Sequence, residues 1–121
     1  MKDLLTTYQD AERNKVALGH FNVSDLPTLK GGEAAAQDLK VAVVVGVSEG
    51  ERDFLGDKQI SALVASFRDE DGIPLYLNAD HTHTLEGAIA MAKAGFDSIV
   101  FNLPLCRSRK TSGKPKKRSK C

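Results

Sequence analysis

Val41-Ala-Val-Val-Val-Gly-Val47 is the stretch that leaves this chain the least freedom. Nearly all of it is β-branched and apolar, and no polar residue falls at alternate positions. β-Branched side chains suit extended backbone. A strand with no polar face is buried on both sides, as in a parallel sheet covered by helices. Parallel strands cannot be joined by tight turns. Each needs a crossover of a dozen or more residues, usually a helix. One such run therefore predicts repeating β/α units around it.

The rest of the chain agrees. Residues 3–14 read as an amphipathic helix, with Leu4, Leu5, Tyr8 and Ala11 at helical spacing. Val16 to Asn22 reads as a short strand. Ser24 or Asp25 can cap a helix that takes Pro27 in its first turn and runs towards Lys40. Gly31-Gly32 weakens that helix by up to about 1 kcal/mol per glycine. Asp57 is read as the cap of a helix through Arg68, with Ile60, Leu63, Val64 and Phe67 on one face, and Asp69-Glu-Asp-Gly as a turn. A strand starts near Pro74, with Ile73, Leu75 and Leu77 apolar. Thr84 caps a helix to Ala94, Gly95 suits its end, and Ser98 to Phe101 is a fourth strand. The prediction is an α/β chain of about four parallel β/α units.

Polar residues collect where the strands end: Asn22, Ser48, Asp80-His81 and Asn102. The densest group is Asn78-Ala-Asp-His-Thr-His83. In α/β folds the carboxyl ends of strands are where the chemistry sits. Asp80 is a candidate general acid/base and His81 a candidate metal ligand. The plainer readings are a turn or capping aspartate and a surface-loop histidine. His20 and His83 read as hydrogen-bonded structural groups, and Glu49 and Glu51 as solvated.

At 121 residues the chain is one domain or less. No apolar run approaches the ~18 residues of a membrane span. Met1 to Tyr8 lacks the apolar stretch of a signal peptide, which predicts the cytoplasm. The two cysteines, Cys106 and Cys121, form neither a disulfide framework nor a zinc-ribbon spacing. The net charge of +1 conceals an abrupt change. Residues 103–121 hold eight of the 17 Lys and Arg and none of the 16 Asp and Glu.

Four blocks carry a family resemblance: Gly19-His-Phe-Asn-Val23, Val43-Val-Val-Gly-Val-Ser-Glu-Gly50, Asn78-Ala-Asp-His-Thr-His83 and Ala92-Lys-Ala-Gly-Phe-Asp-Ser-Ile-Val-Phe101. In this order and spacing, over roughly residues 1–102, the chain resembles class II, metal-dependent ketose-bisphosphate aldolases. The resemblance implies the N-terminal half of a (β/α)8 TIM barrel. It implies zinc as the cofactor, His81 as a metal ligand and Asp80 as the catalytic acid/base. It makes Ser48 and Asn22 substrate-binding residues, with turn roles as their plainer readings. The implied reaction is reversible cleavage of fructose or tagatose 1,6-bisphosphate to dihydroxyacetone phosphate and glyceraldehyde 3-phosphate. The implied partners are a phosphorylated sugar and further copies of the full-length family member, with no membrane. Asn102 departs from the family, which usually has an aspartate there. The family's other metal ligands lie in the later half of its barrel, so this chain reads as a truncated, inactive fragment.

Two other readings compete. A Schiff-base aldolase needs a lysine at a strand end, but Lys15, Lys30, Lys40, Lys58 and Lys93 all fall on helices or turns. Alternatively, Arg107, Arg109, Lys110, Lys114, Lys116, Lys117, Arg118 and Lys120 form a nucleic-acid-binding tail, although no aromatics interleave for base stacking. A frame shift explains the same tail as an irregular, disordered basic stretch. Read one base earlier, with suitable codons chosen, it gives Ser-Ala-Leu-Pro-Phe-Glu-Glu-Asn-Ile, which resembles the family's continuation.

Overall fold

The computed structural model describes residues 1–102. Four strands, β1 (Gly19–Asn22), β2 (Val43–Val47), β3 (Leu75–Thr82) and β4 (Ser98–Phe101), form one sheet in the order β1-β2-β3-β4. Every neighbouring pair is parallel. Helix α1 (Leu4–Asn14) precedes the sheet. Helix α2 (Leu26–Leu39) links β1 to β2, α3 (Glu49–Leu55) and α4 (Asp57–Asp71) link β2 to β3, and α5 (Leu85–Ala94) links β3 to β4. Successive β/α units with sequence neighbours paired in space are the construction of a partial β/α barrel.

The valine run is buried throughout, as its composition demands. Val43, Val45 and Val47 of β2 and Leu75, Leu77 and Ala79 of β3 point towards the helices. There they join Leu29 and Ala36 of α2, Ile60 and Val64 of α4, Met91 of α5 and Phe96 in one apolar cluster. The opposite face has a much smaller core of Val44, Tyr76 and Leu4, with Leu18 and Ala42 against it. The Tyr76 hydroxyl donates to the Lys2 carbonyl at 2.7 Å and lies 2.7 Å from Thr7 Oγ1, which fastens α1 across that face.

Local signals set the helix ends. Asp3 accepts from the Thr6 amide at 2.7 Å, and Asp25 forms a reciprocal capping box with Thr28. Gly95 ends α5 in the left-handed region that glycine occupies without steric cost.

Several boundaries differ from the sequence reading. Strand β1 starts at Gly19 rather than Val16, and β2 at Val43 rather than Val41. The stretch after Ser48, to which the sequence reading gave no element, is a seven-residue helix. Asp57 does not cap α4; it is the first residue of that helix, and Gly56 at φ +88° precedes it with no side-chain cap. Asp69 to Asp71 continue α4, and only Gly72 turns left-handed. Finally, β3 runs through the polar group to Thr82. The basic tail, whether frame-shifted or nucleic-acid-binding, lies outside the described residues.

Candidate functional site

The carboxyl end of β3 carries the chemistry-bearing residues, and its backbone is irregular there. Ala79 pairs with Ile99, and the next pair is Thr82 with Phe101. Three steps along β3 therefore match two along β4, a β-bulge that inserts one residue. Ala79 packs in the helix-facing core. Thr82 bonds Arg52 of α3, with its methyl beside Gly87 of α5. Asp80 and His81 lie between these two helix-facing residues, so strict alternation is broken at them. His81 takes φ +50°, a left-handed conformation uncommon for a residue with a side chain. Bulges of this kind re-aim side chains and are over-represented beside active sites.

The result is a close acid–imidazole pair. Asp80 Oδ2 lies 3.6 Å from His81 Nε2. The carboxylate is mostly buried, its side chain 13% exposed, whereas the imidazole is open at 61%. His81 Nδ1 lies 2.9 Å from the Asn102 amide nitrogen, which donates to it. With Nδ1 accepting, the ring proton sits on Nε2, on the side of Asp80.

Below this pair a row of residues crosses all four strands: Asn22, Gly46, Asn78 and Ser98 are in register. Asn78 is buried, and both ends of its amide are used. Ser98 Oγ donates to Asn78 Oδ1 at 2.7 Å, and Asn78 Nδ2 lies 3.2 Å from His20 Nε2. Gly46 makes room for this arrangement. A Cβ there would sit 2.5 Å from His20 Nε2 and 3.0 Å from Asn22 Oδ1. Tyr8, His20, Asn78, Asp80 and Ser98 line a pocket of about 350 Å³ on this face.

The predicted site residues thus separate. Asp80, His81 and Asn102 are brought together. Asn22 ends β1 in the same cross-strand row as Gly46 and Asn78. Ser48 follows β2, one residue beyond the Val47–Ala79 pair. Its hydroxyl caps α3, accepting from the Glu51 amide at 3.4 Å, while Glu51 Oε2 accepts from the Ser48 amide at 2.8 Å. Glu51 is therefore a capping residue and not simply solvated. The sequence reading missed Arg52, Asn78, Ser98 and Gly46. Arg52 had one visible signal, a lone cation between Glu51 and Asp53.

Parallel β/α units with polar side chains gathered at the strand ends define a chain of the β/α-barrel class. Comparison with known proteins takes this further. The family model described as fructose-bisphosphate aldolase class-II matches residues 2–105. A fructose-bisphosphate aldolase of Geobacillus stearothermophilus is 32% identical over 105 residues, which cover 84% of this chain and 36% of that protein. A 6-phospho-5-dehydro-2-deoxy-D-gluconate aldolase of Bacillus subtilis is 33% identical over 105 residues, covering 84% and 35%. The crystal structure of the YdjI aldolase from Escherichia coli K12 shares the fold, with a TM-score of 0.73 at 23% identity over 81% of this chain and 38% of that one. The chain belongs to the class II fructose-bisphosphate aldolase family, and it spans about a third of the length of these relatives.

That family is generally metal-dependent. A catalytic zinc site takes three protein ligands. Among the described residues no three His, Cys, Asp or Glu side chains converge to hold a metal ion. His81 offers one imidazole, and both of its nitrogens face neighbours. Residues 1–102 therefore do not fit a complete metal centre.

Proposed function

We propose that this chain supplies the acid/base corner of an aldolase site that cleaves a phosphorylated ketose. The substrate is fructose 1,6-bisphosphate or its tagatose stereoisomer. Asp80 takes the proton of the C4 hydroxyl as the C3–C4 bond breaks. That bond's electron pair passes to the dihydroxyacetone phosphate half, and the C4 oxygen becomes the aldehyde of glyceraldehyde 3-phosphate. In condensation Asp80 returns the proton. His81 would be one donor to zinc, which would polarise the substrate ketone, with the other donors coming from the later half of a full-length family member's barrel. Asn22 and Ser48 contact the substrate. Residues 1–102 are the partial barrel, 103–121 a shifted-frame tail, and the cytoplasm the compartment. The full-length family member is a homo-oligomer.

The observation that carries this reading is the bulge at Asp80–His81. It places a mostly buried carboxylate 3.6 Å from an exposed imidazole through backbone that a merely structural strand end does not need. No helix among the described residues is long and apolar enough to cross a membrane.

Zinc titration followed by histidine ring NMR tests the ligand role. A response at His81, well before His20 and His83, is expected; an equal response at all three, or none, removes it. The purified chain is expected to release no triose phosphate from either bisphosphate. EDTA-sensitive release would overturn the fragment reading.

A further inference from the structure

We propose that Arg52 is the positioning residue of the Asp80–His81 corner, its guanidinium holding the bulged backbone from both sides. This rests on the reading of that corner as the reacting site.

Arg52 stands on α3, five residues after β2 ends at Val47, and is only 4% exposed. Nη1 donates to the Val47 carbonyl at 2.6 Å and to the Asp80 carbonyl at 3.0 Å. Nη2 donates to Thr82 Oγ1 at 3.2 Å. The two contacts on β3 bracket His81, one before it and one after it. Among the described residues no carboxylate lies within ion-pairing distance of Arg52. A buried cation without an anion is retained against a large desolvation cost, so its hydrogen bonds must do something that a neutral side chain cannot.

What they do follows from the geometry. The bulge disrupts the β3–β4 ladder at Asp80 and His81, and the Asp80 carbonyl turns to Arg52. The left-handed His81 has no glycine to make it easy. Fixing the carbonyl on one side and the hydroxyl on the other leaves the intervening residue little choice of φ. The planar fork matters because one nitrogen must reach the ends of two strands while the other reaches a third acceptor. A lysine supplies the charge as a single point without that spread.

The test uses the whole 121-residue chain and the variants R52M, R52K and T82V. The three-bond HN–Hα coupling and the Cα shift of His81 report its φ directly. The His81 ring shifts report whether the imidazole still meets the Asn102 amide. In folded R52M the His81 coupling should move to extended values, and its ring resonances should shift as the imidazole leaves the Asn102 amide. The resonances of Val44 and Val45 should stay in place. R52K should restore part of the change. T82V removes only the Nη2 contact and should shift His81 part of the way, which keeps the question answerable if R52M does not fold. A folded R52M or T82V with wild-type His81 coupling overturns the proposal. A wild-type chain whose His81 ignores zinc overturns the site reading instead, and the coupling then still decides whether Arg52 holds the bulge.

Discussion

Strand β3 is gripped by an arginine at each end, and the two grips differ. At its amino end Arg68 of α4 donates through Nε to the Leu75 carbonyl and pairs with Asp97. The same carboxylate accepts from the Leu77 amide at 2.7 Å, and the guanidinium lies 5.9 Å from the centre of the Tyr76 ring. That charge has an anion, a carbonyl and an aromatic face. At the carboxyl end Arg52 is more deeply buried and, among the described residues, has only two carbonyls and a hydroxyl. The amino end is compensated and regular; the carboxyl end is uncompensated and bulged. In β/α barrels stability is concentrated at the first and chemistry at the second, and here the division is visible within eight residues of one strand.

Removing each arginine gives the largest contrast. R52M should cost about 3–5 kcal/mol: the Val47 and Asp80 carbonyls and the Thr82 hydroxyl each lose a charged donor at roughly 1–3 kcal/mol, less the desolvation of the cation that is relieved. R68M should cost about 1–2 kcal/mol, since Asp97 keeps the Leu77 amide and both side chains reach water. Urea melts of both variants check this, and equal losses would erase the distinction.

A smaller effect is confined to the carboxyl half. Gly46→Ala should push the His20 ring off Asn78 and cost about 1 kcal/mol for the lost hydrogen bond. The His20 ring resonances should move while the Tyr76 resonances stay still. Movement at Tyr76 would mean that the two ends are coupled.

His81→Asn runs in the opposite direction. Asparagine tolerates the left-handed region better, so stability should rise by a few tenths to about 1 kcal/mol. A raised melting midpoint with a lost zinc response would show that the corner gives up stability for its geometry. A lowered midpoint would count against strain at His81.

The smallest effect is shared by both ends. Backbone and side-chain hydrogen bonds from Thr6 hold the Asp3 carboxyl below its usual value, and the Thr28 side chain followed by its amide does so for Asp25. Lowered folded values mean that stabilisation is present above the ordinary carboxylate range and is lost as pH falls through the lowered values. D3N and D25N should each flatten the acid limb of a stability–pH curve below pH 3.8. An unchanged limb in both would remove the caps from the account.

The sequence foretold the four parallel strands because the valine run admits no other burial and because Pro74, Thr84 and Gly95 punctuate the chain where turns and caps need them. Asp80 and His81 were legible as adjacent polar residues at a strand end. What brings them together was not. A bulge has no signature in residue types here, since no glycine marks it and a histidine, though it enters the left-handed region more readily than most residues, is far more often elsewhere. Helix α3 was hidden because Ser48-Glu-Gly-Glu51 has the composition of a loop, and its capping box is recognised only once the helix is known. The role of Asn78 depends on His20 and Ser98, 58 and 20 residues away, a relation that only strand register creates.

The latch between Tyr76 and the Lys2 carbonyl joins residues 74 positions apart. At a synthesis rate of 5–20 residues per second, Tyr76 follows Lys2 by about 4–15 s. Throughout that interval Leu4 lacks Tyr76 to pack against, and the helix that comes first is among the last to settle. A slow codon between Lys2 and Tyr76 would lengthen that interval.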